Sequence, residues 1–227
     1  MTVPRVKICG VRTVQDALVA AEAGAEYVGM VFVPGRRRRI DPDDALIIRN
    51  GLRGSGPKAP LSVGLFGDQS LPEVLDTIEH TGVDFAQLCG EESLEYCVRV
   101  LGHARVIKVL HVGNDAHSNA VETLAGQIDA FTAAGCVVTL DSQVPGLHGG
   151  TGETFDWTVA GRLSASGRHF LLAGGLTPDS VPEAIAVAKP WGVDVSSGVE
   201  TNGEKDHAKI RNFVANAKRI NRSAEVS

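Results

Sequence analysis

Short apolar runs alternate with helix-like segments along the chain, and this alternation limits the possible folds more than any other feature of the sequence. Most of the runs are rich in Val, Ile and Leu. Runs of this length that are apolar at successive positions are typical of strands buried on both faces of a parallel sheet. Eight such strands are predicted, over residues 6–9, 27–33, 61–66, 85–88, 106–110, 136–140, 169–173 and 193–195.

The segments between these runs carry apolar residues at helical spacing. Ala17, Leu18 and Ala21 form one such stripe. Thr13 precedes the stripe, with Asp16 three residues later, which resembles the capping pattern at the start of a helix. Strands that alternate with helices in this way predict βαβ units and a parallel sheet.

Two architectures are compatible with this order, a closed barrel and an open doubly wound sheet. Eight units in 227 residues fit the compact end of the barrel range. An open nucleotide-binding sheet would carry Gly-x-Gly-x-x-Gly after its first strand, and residues 9–12 read Cys-Gly-Val-Arg instead. The sequence therefore predicts a single-domain α/β protein, a (β/α)8 TIM barrel over residues 1–220, followed by a frayed polar tail over residues 221–227.

Composition argues against several classes of protein. The formal net charge is −5 and the pI is near 5.8, whereas a nucleic-acid-binding domain usually has a pI above about 9. No run of about 18 apolar residues could span a membrane, and the first ten residues lack the apolar stretch of a signal peptide. The four cysteines are far apart in sequence, which is typical of a reducing compartment. We expect a cytoplasmic protein with no nucleic-acid or membrane partner.

In a barrel of this kind the active site lies where the strands end, in the loops that follow them. Two glycine-bearing loops follow the seventh and eighth predicted strands, Gly174-Gly175 and Ser196-Ser197-Gly198. Many barrels bind a phosphate group at these two places, against backbone N–H groups. Ordinary turns that need a positive φ are the alternative, and the presence of both loops favours phosphate binding.

Two reactive side chains also follow strands. Asp141 ends the sixth strand. Burial of an unpaired carboxylate there would be costly, so a functional role is favoured over a structural one. Cys9 ends the first strand, where a small buried hydrophobic residue is the commoner role. The basic run 36–39 follows the second strand, and one of its arginines could pair with a carboxylate over the barrel mouth while the others lie at the surface.

The remaining polar motifs give weaker predictions. The glycine-rich loop of residues 142–153 could close over a ligand. His103, His111 and His117 are predicted to be surface or loop residues, and no histidine spacing indicates a metal site.

At these residues the sequence resembles the phosphoribosylanthranilate isomerase family of tryptophan biosynthesis. The similarity runs through nearly the whole chain, in the same order and spacing. The matching motifs include Lys7-Ile8-Cys9-Gly10, Gln87-Leu88, Leu140-Asp141-Ser142, Gly149-Gly150-Thr151-Gly152, Leu172-Ala173-Gly174-Gly175-Leu176-Thr177-Pro178 and Gly192-Val193-Asp194-Val195-Ser196-Ser197-Gly198-Val199-Glu200.

The resemblance implies an Amadori rearrangement of N-(5-phosphoribosyl)anthranilate to 1-(2-carboxyphenylamino)-1-deoxyribulose 5-phosphate. It implies that Cys9 is the general base, that Asp141 is the general acid and that Arg38 binds the anthranilate carboxylate. The remaining implied substrate contacts are Lys7, Gln87, Gly150, Gly174, Gly175, Asp194, Ser196, Ser197 and Gly198, with the phosphate at the glycine-bearing loops. No metal or organic cofactor is implied, because the iminium intermediate itself accepts the electrons, and a monomer is expected, with a dimer left open.

The sequence departs from the family pattern at a few positions. The family usually has histidine in a Gln-Leu-His-Gly motif, and this chain has Cys89 there. We expect Cys89 to be a packing or mouth residue without a proton-transfer role.

Two other functions are possible for a barrel of this kind. A related isomerase of histidine biosynthesis, or one that serves both pathways, would carry an aspartate in place of Cys9 and a two-half repeat, which is not evident here. A non-catalytic barrel that binds a phosphate ligand would have lost Cys9 or Asp141, and both are present.

Overall fold

Eight parallel strands close into a barrel in chain order, which confirms the predicted (β/α)8 TIM barrel. The computed structural model describes residues 3–113, 118–142 and 156–219. The predicted tail, 221–227, lies outside these residues. The strands are β1 Arg5–Cys9, β2 Tyr27–Val31, β3 Leu61–Phe66, β4 Phe85–Leu88, β5 Arg105–Val112, β6 Val137–Ser142, β7 Leu171–Leu172 and β8 Gly192–Val195.

A helix follows each of the first seven strands, and an eighth ends the described chain. They are α1 Val14–Ala23, α2 Pro42–Gly54, α3 Leu71–Thr81, α4 Leu94–Leu101, α5 Ser118–Ala133, α6 Trp157–Ala165, α7 Val181–Ala188 and α8 His207–Arg219. Thr13 caps α1 as predicted, since its side-chain oxygen accepts from the Asp16 backbone N–H at 3.1 Å. No helix in the described ranges is both long and apolar enough to cross a membrane.

One element was not predicted, a short hairpin between β8 and α8. A 3₁₀ turn, Ser197–Val199, leads into β9 Glu200–Thr201, which pairs antiparallel with β10 Glu204–Lys205. β9 and β10 contain only polar residues, Glu-Thr and Glu-Lys, so they lack the apolar run that marks the barrel strands in the sequence.

The side chains of each strand point alternately outward and inward, which gives the protein two apolar layers. Successive side chains of a strand point to opposite faces, so Val6 and Ile8 of β1 face the helices while Lys7 and Cys9 face the barrel interior. The outer layer, between strands and helices, holds most of the buried apolar residues. The interior layer is smaller and consists of Cys9, Tyr27, Val31, Val63, Leu65, Phe85, Ile107 and Leu171.

Aromatic rings fill the barrel at the end where the strands begin. The rings of Tyr27 and Phe85 meet edge to face at 5.5 Å, and Tyr27 also packs against Trp191 at 6.4 Å. The Arg5 guanidinium lies 4.2 Å over the ring of Trp191, and that of Arg105 lies 4.1 Å over Phe85. With this end filled, the interior is open where the strands end.

A buried ion pair crosses the seam where the first and last strands meet. Lys7 and Asp194 are register partners on β1 and β8, and Lys7 Nζ lies 2.8 Å from Asp194 Oδ2. The Lys7 side chain is 0% exposed. A charge at this depth is stable only with its partner, so the pair favours the one register of β1 on β8 that brings the two side chains together.

Lys7→Met should lower the free energy of unfolding by about 3–5 kcal/mol, because it leaves the Asp194 carboxylate buried without its cation. Urea denaturation would measure the loss. The double variant Lys7→Met/Asp194→Leu should recover most of it, and Lys58→Met, at an exposed position, should change stability by less than about 0.5 kcal/mol. Equal effects of Lys7→Met and Lys58→Met would contradict the role given to the pair.

Candidate active site

A cavity of about 350 Å³ opens at the end of the barrel where the strands finish. All eight strands, or the loops that follow them, contribute to its lining. Most of the predicted site residues lie in its wall, namely Cys9, Arg38, Gln87, Asp141, Gly174, Gly175, Asp194, Ser196, Ser197 and Gly198. Lys7 lies one layer deeper, and Gly150, with residues 143–153 of the predicted lid, lies outside the described residues.

Cys9 shares the inner face of β1 with Lys7, because the two residues are two apart in one strand. Burial raises the pKa of the Cys9 thiol above its ordinary value, and the adjacent Lys7 ammonium opposes that shift without cancelling it. Burial also disfavours the charge of Lys7, but the attraction of Asp194 and Cys9 outweighs it and raises the pKa of Lys7. The thiol is therefore protonated at rest, beside a permanent cation that favours its thiolate.

Asp141 stands on β6, three strands away from Cys9 around the barrel. Burial raises the pKa of its carboxyl to about 6, although His111 acts in the opposite direction. Asp194 adds to the rise, while Lys7 and a hydrogen bond from the backbone of Ser142 reduce it. At pH 7 such a carboxyl holds its proton in about a tenth of molecules, which is far more often than a carboxyl of ordinary pKa does.

The prediction for His111 was wrong. It belongs to β5, in register with Asp141, and its half-buried ring lines the cavity. Its Nε2 donates to the carbonyl oxygen of Cys89 at 3.0 Å. The predicted strand ended at residue 110, whereas β5 runs to Val112, and extending the inward alternation of Ile107 and Val109 would have found His111. His103 is exposed as predicted, and His117 lies outside the described residues.

The two glycine-bearing loops adopt backbone conformations that need glycine. Gly174 and Gly175 have φ values of +87° and +65°, and no hydrogen bond among the described residues engages the backbone N–H of either. A Cβ on Gly198 would collide with the carbonyl oxygen of Leu176, so the two loops approach each other closely. The N–H groups of Ser197 and Gly198 begin a 3₁₀ turn, where they have no partner within the turn. Such a set of N–H groups can bind an anion.

Two buried acceptor atoms in the cavity wall lack a partner in the described part of the chain. They are Oδ1 of Asp194 and Oε1 of Gln87. Gln87 uses its other group, since Nε2 donates to Cys89 Sγ at 3.5 Å. Buried acceptors are normally satisfied, so these two indicate a ligand that brings hydroxyl or N–H donors.

The arginine run is divided between the cavity and the surface. Arg36, Arg37 and Arg38 all contribute to the cavity lining, but only Arg36 and Arg38 are half-buried there; Arg37 is largely exposed, and Arg39 is exposed and lies outside the lining. A Cβ on Gly10 would lie 2.5 Å from Arg38 Cδ, so the glycine after Cys9 makes room for the stem of Arg38. The sequence missed Glu200, which accepts from the Arg38 guanidinium, since an isolated glutamate near the end of a motif carries no distinguishing pattern.

Cys89 also lies in the cavity wall, half-buried, and burial raises the pKa of its thiol to about 12. This thiol is a much poorer source of thiolate than one with an ordinary pKa. In the described ranges no cluster of three or more His, Cys, Asp or Glu side chains could hold a metal ion.

The chain was compared with known proteins. The family model described as N-(5'phosphoribosyl)anthranilate (PRA) isomerase matches residues 6–216. N-(5'-phosphoribosyl)anthranilate isomerase of Roseiflexus sp. (strain RS-1) is 44% identical, over 94% of this chain and 97% of that protein.

Two solved structures are also similar. Phosphoribosyl anthranilate isomerase from Thermotoga maritima aligns with a TM-score of 0.80 at 36% identity, over 95% of this chain and 98% of that one. A phosphoribosyl anthranilate isomerase in complex with reduced 1-(o-carboxyphenylamino)-1-deoxyribulose 5-phosphate aligns with a TM-score of 0.77 at 34% identity, with the same coverage.

Asp141→Asn should stabilise the protein at pH 8 by about 3 kcal/mol and give no such gain near pH 4. The pKa of Asp141 in the folded protein, about 6, is above the ordinary value of 3.8, so stability is lost as pH rises between these values. Asparagine has no charge to bury and avoids that loss. Unfolding by urea at the two pH values would measure the difference.

The matched control is Asp156→Asn, at the exposed N-cap of α6, where a hydrogen bond from Thr158 lowers the pKa of the carboxyl. This variant should not gain stability at pH 8. A gain for Asp141→Asn that is the same at pH 4 and pH 8 would contradict the burial argument.

Proposed function

Because the chain belongs to the N-(5'-phosphoribosyl)anthranilate isomerase family and is an isomerase of tryptophan biosynthesis, we propose that Cys9 and Asp141 are the base and the acid of its reaction. The observation that carries this proposal is that both side chains line one cavity, Cys9 from β1 and Asp141 from β6, in surroundings that favour different charge states. Lys7 supports a negative charge at Cys9, whereas burial supports a proton on Asp141.

The first step opens the furanose ring of the substrate. Asp141 donates its proton to the ring oxygen, the bond between that oxygen and C1 of the ribose breaks, and the nitrogen lone pair forms a C1–N iminium. The ring oxygen becomes the 4-hydroxyl. A carboxyl group with a pKa of about 6 can be protonated when substrate binds and can still release its proton readily.

The second step moves hydrogen from C2 to C1. The Cys9 thiolate takes the proton of C2, the electron pair forms a C1–C2 double bond, and the iminium becomes a neutral amine. The resulting enaminol gains a proton at C1 and loses the proton of its 2-hydroxyl, which gives the ketose. C2 is oxidised and C1 is reduced within one molecule, so no external oxidant or reductant takes part. The Lys7 ammonium lowers the energy of the thiolate on which this step depends.

The rest of the cavity binds the non-reacting parts of the substrate. We place the phosphate at Gly174, Gly175, Ser197 and Gly198, with Ser196 beside them. Asp194 Oδ1 and Gln87 Oε1 would accept hydrogen bonds from ribose hydroxyls, which accounts for their unsatisfied burial. Arg38 would bind the anthranilate carboxylate, and Gly150 stays a prediction from the motif that it belongs to.

We also propose that the chain works as a cytoplasmic monomer. One chain supplies every residue of the proposed site, so a monomer is sufficient for the reaction, and a dimer stays open. All four thiols are unpaired, as is typical of proteins in a reducing compartment.

Cys9→Ser and Asp141→Asn should each lower kcat at least about a hundredfold, because one positioned proton-transfer group is worth about 10²–10⁴ in rate. The matched control is Cys89→Ser, which removes a second thiol of the same cavity and should keep kcat within about tenfold, or 1.4 kcal/mol of barrier. Steady-state kinetics, following the loss of anthranilate-adduct fluorescence, would measure all three. Near-full turnover by folded Asp141→Asn would show that another group opens the ring, and equal losses at the two cysteines would show that the wrong thiol has been assigned.

The pH profile of kcat/KM should rise until about pH 6, stay level, and fall above the ordinary thiol pKa. The productive form needs Asp141 protonated and Cys9 ionised, which reverses the order of their pKa values. Below the pKa of Asp141 the thiolate fraction grows with pH. Between the two pKa values the gain in thiolate is cancelled by the loss of the acid, and above both only that loss remains. The profile of kcat/KM reports the groups of the free enzyme.

His111→Asn should move the rising limb to higher pH, since His111 lowers the pKa of Asp141. Alkylation of Cys9 by iodoacetamide, measured separately, should titrate above the ordinary thiol pKa. A rising limb at the ordinary aspartate pKa, unmoved by His111→Asn, would contradict the assignment.

A further inference from the structure

Glu200 begins β9 and carries a carboxylate that three cationic side chains share. It accepts from Arg38 (Nε to Oε1 2.5 Å, Nη2 to Oε2 3.0 Å), from Arg37 (Nη2 to Oε2 2.5 Å) and from Lys205 (Nζ to Oε1 3.0 Å). Only 6% of its side chain is exposed. Burial by itself would raise the pKa of Glu200, but these partners outweigh burial and hold it at about 2, so Glu200 is ionised at physiological pH.

The contact with Arg38 uses one edge of the guanidinium. Nε and Nη2 form that edge, and every hydrogen bond that Arg38 donates to a described residue goes to Glu200. A guanidinium has five N–H donors in a planar fork, so the other edge, formed by Nη1 and Nη2, can still bind a second carboxylate by two bonds. The stem of Arg38 runs over Gly10, next to Cys9, and the side chain lines the cavity.

The charges in this cluster do not balance. Arg37, Arg38 and Lys205 are cations that share the single carboxylate of Glu200, so two formal positive charges remain. An excess of this sign next to the cavity favours an anionic ligand. Glu200 keeps the three cations in fixed places without neutralising them.

We propose that Glu200 is a positioning residue for carboxylate recognition: it holds one edge of Arg38 so that the other edge meets the anthranilate carboxylate of the substrate. The inference rests on the carboxylate-binding role proposed above for Arg38. Without Glu200 the neighbouring cations repel one another, and Arg38 must be ordered anew each time substrate binds.

The same contacts join the two ends of the substrate site. Lys205 donates to Glu200 and also to the carbonyl oxygen of Ser196 at 2.8 Å, in the loop proposed to hold the phosphate. Lys205 therefore keeps a partner in the phosphate loop that does not depend on Glu200, so we expect a change at Glu200 to act on the carboxylate end of the site and to leave the phosphate end in place.

The test compares two stable ligands that differ by one carboxylate. They are the reduced product, 1-(2-carboxyphenylamino)-1-deoxypentitol 5-phosphate, and the same compound with an unsubstituted phenyl ring. Their affinities are measured by calorimetric titration. Glu200→Gln should weaken binding of the carboxylated ligand about tenfold, or 1.4 kcal/mol, and change that of the phenyl ligand less than twofold. In steady-state assays with the substrate, Glu200→Gln should raise KM and leave kcat unchanged.

The matched control removes a similar ion pair that lies elsewhere. Arg168 donates to Asp129 with Nε at 2.9 Å and Nη2 at 2.6 Å, and neither residue lines the cavity. Asp129→Asn should bind both ligands as the unmodified protein does. A tenfold loss in this variant would show that breaking any such pair disturbs the site, and would overturn the inference.

Arg38→Ala separates the inference from the role on which it rests. If Arg38→Ala binds the two ligands with the unmodified preference, the carboxylate role of Arg38 itself is wrong. If Arg38→Ala loses the preference but Glu200→Gln keeps or increases it, only the role of Glu200 is wrong. Adding Glu200→Gln to Arg38→Ala should cost less than twofold more, and a further tenfold loss would show that Glu200 does not act through Arg38.

Arg38→Lys gives a second route if Glu200→Gln fails to fold. A lysine keeps the charge but has no second edge, so it cannot hold Glu200 and the ligand in the same way. It should lose the preference for the carboxylated ligand about as fully as Arg38→Ala. A preference retained by Arg38→Lys would overturn the two-edge arrangement.

Discussion

The rest of this structure depends on the closure of β1 against β8, where the Lys7–Asp194 ion pair is buried. The pair lies in the seam of the barrel, and it also lies directly beneath Cys9. Two charges at that depth are tolerated because they neutralise each other and because Asp194 keeps one oxygen for the cavity. A seam with apolar side chains at these two positions would have no cation beneath the thiol. The buried Lys7 ammonium, whose desolvation costs free energy when the barrel closes, is therefore also the group that favours the Cys9 thiolate.

Burial acts in the same direction on the two reacting groups, and their neighbours make the difference. It raises the pKa of both Cys9 and Asp141, which favours the proton on Asp141 but opposes the thiolate on Cys9. Lys7 partly corrects the second effect. It is two residues from Cys9 on the same strand face, whereas Asp141 has His111 on the adjacent strand as its nearest modifier. The acid and the base thus differ because each has a different residue beside it, and strand register sets which residue that is.

The barrel was predictable from sequence because continuous apolar runs mark its strands and helical spacing marks the segments between them. The same alternation placed Cys9, Asp141 and the two glycine-bearing loops at strand ends, so the location of the cavity followed from the fold. The features that escaped prediction depend on contacts across the chain. Glu200 reaches Arg38 only after β2 and β8 are brought to the same mouth, and its own strand, β9, has no apolar residue to reveal it. His111 was assigned to the surface or a loop for another reason, since β5 continues two residues past the apolar run that marks it.

His111 bears on the departure of this chain from its family at residue 89. The family usually carries a histidine there, and here the position is Cys89, whose thiol is kept protonated by burial. An imidazole is nonetheless present at the mouth, because His111 comes from the next strand and donates to the backbone carbonyl of Cys89 itself. The two positions are neighbours in the barrel although 22 residues apart in the chain. A change that looks like the loss of an imidazole from one motif is thus accompanied, in the folded protein, by a histidine that a different strand supplies to the backbone of the same residue. The motif around residue 89 alone does not reveal this neighbour, because the chemistry of each position at the mouth is set by residues around the barrel and not by residues adjacent in sequence.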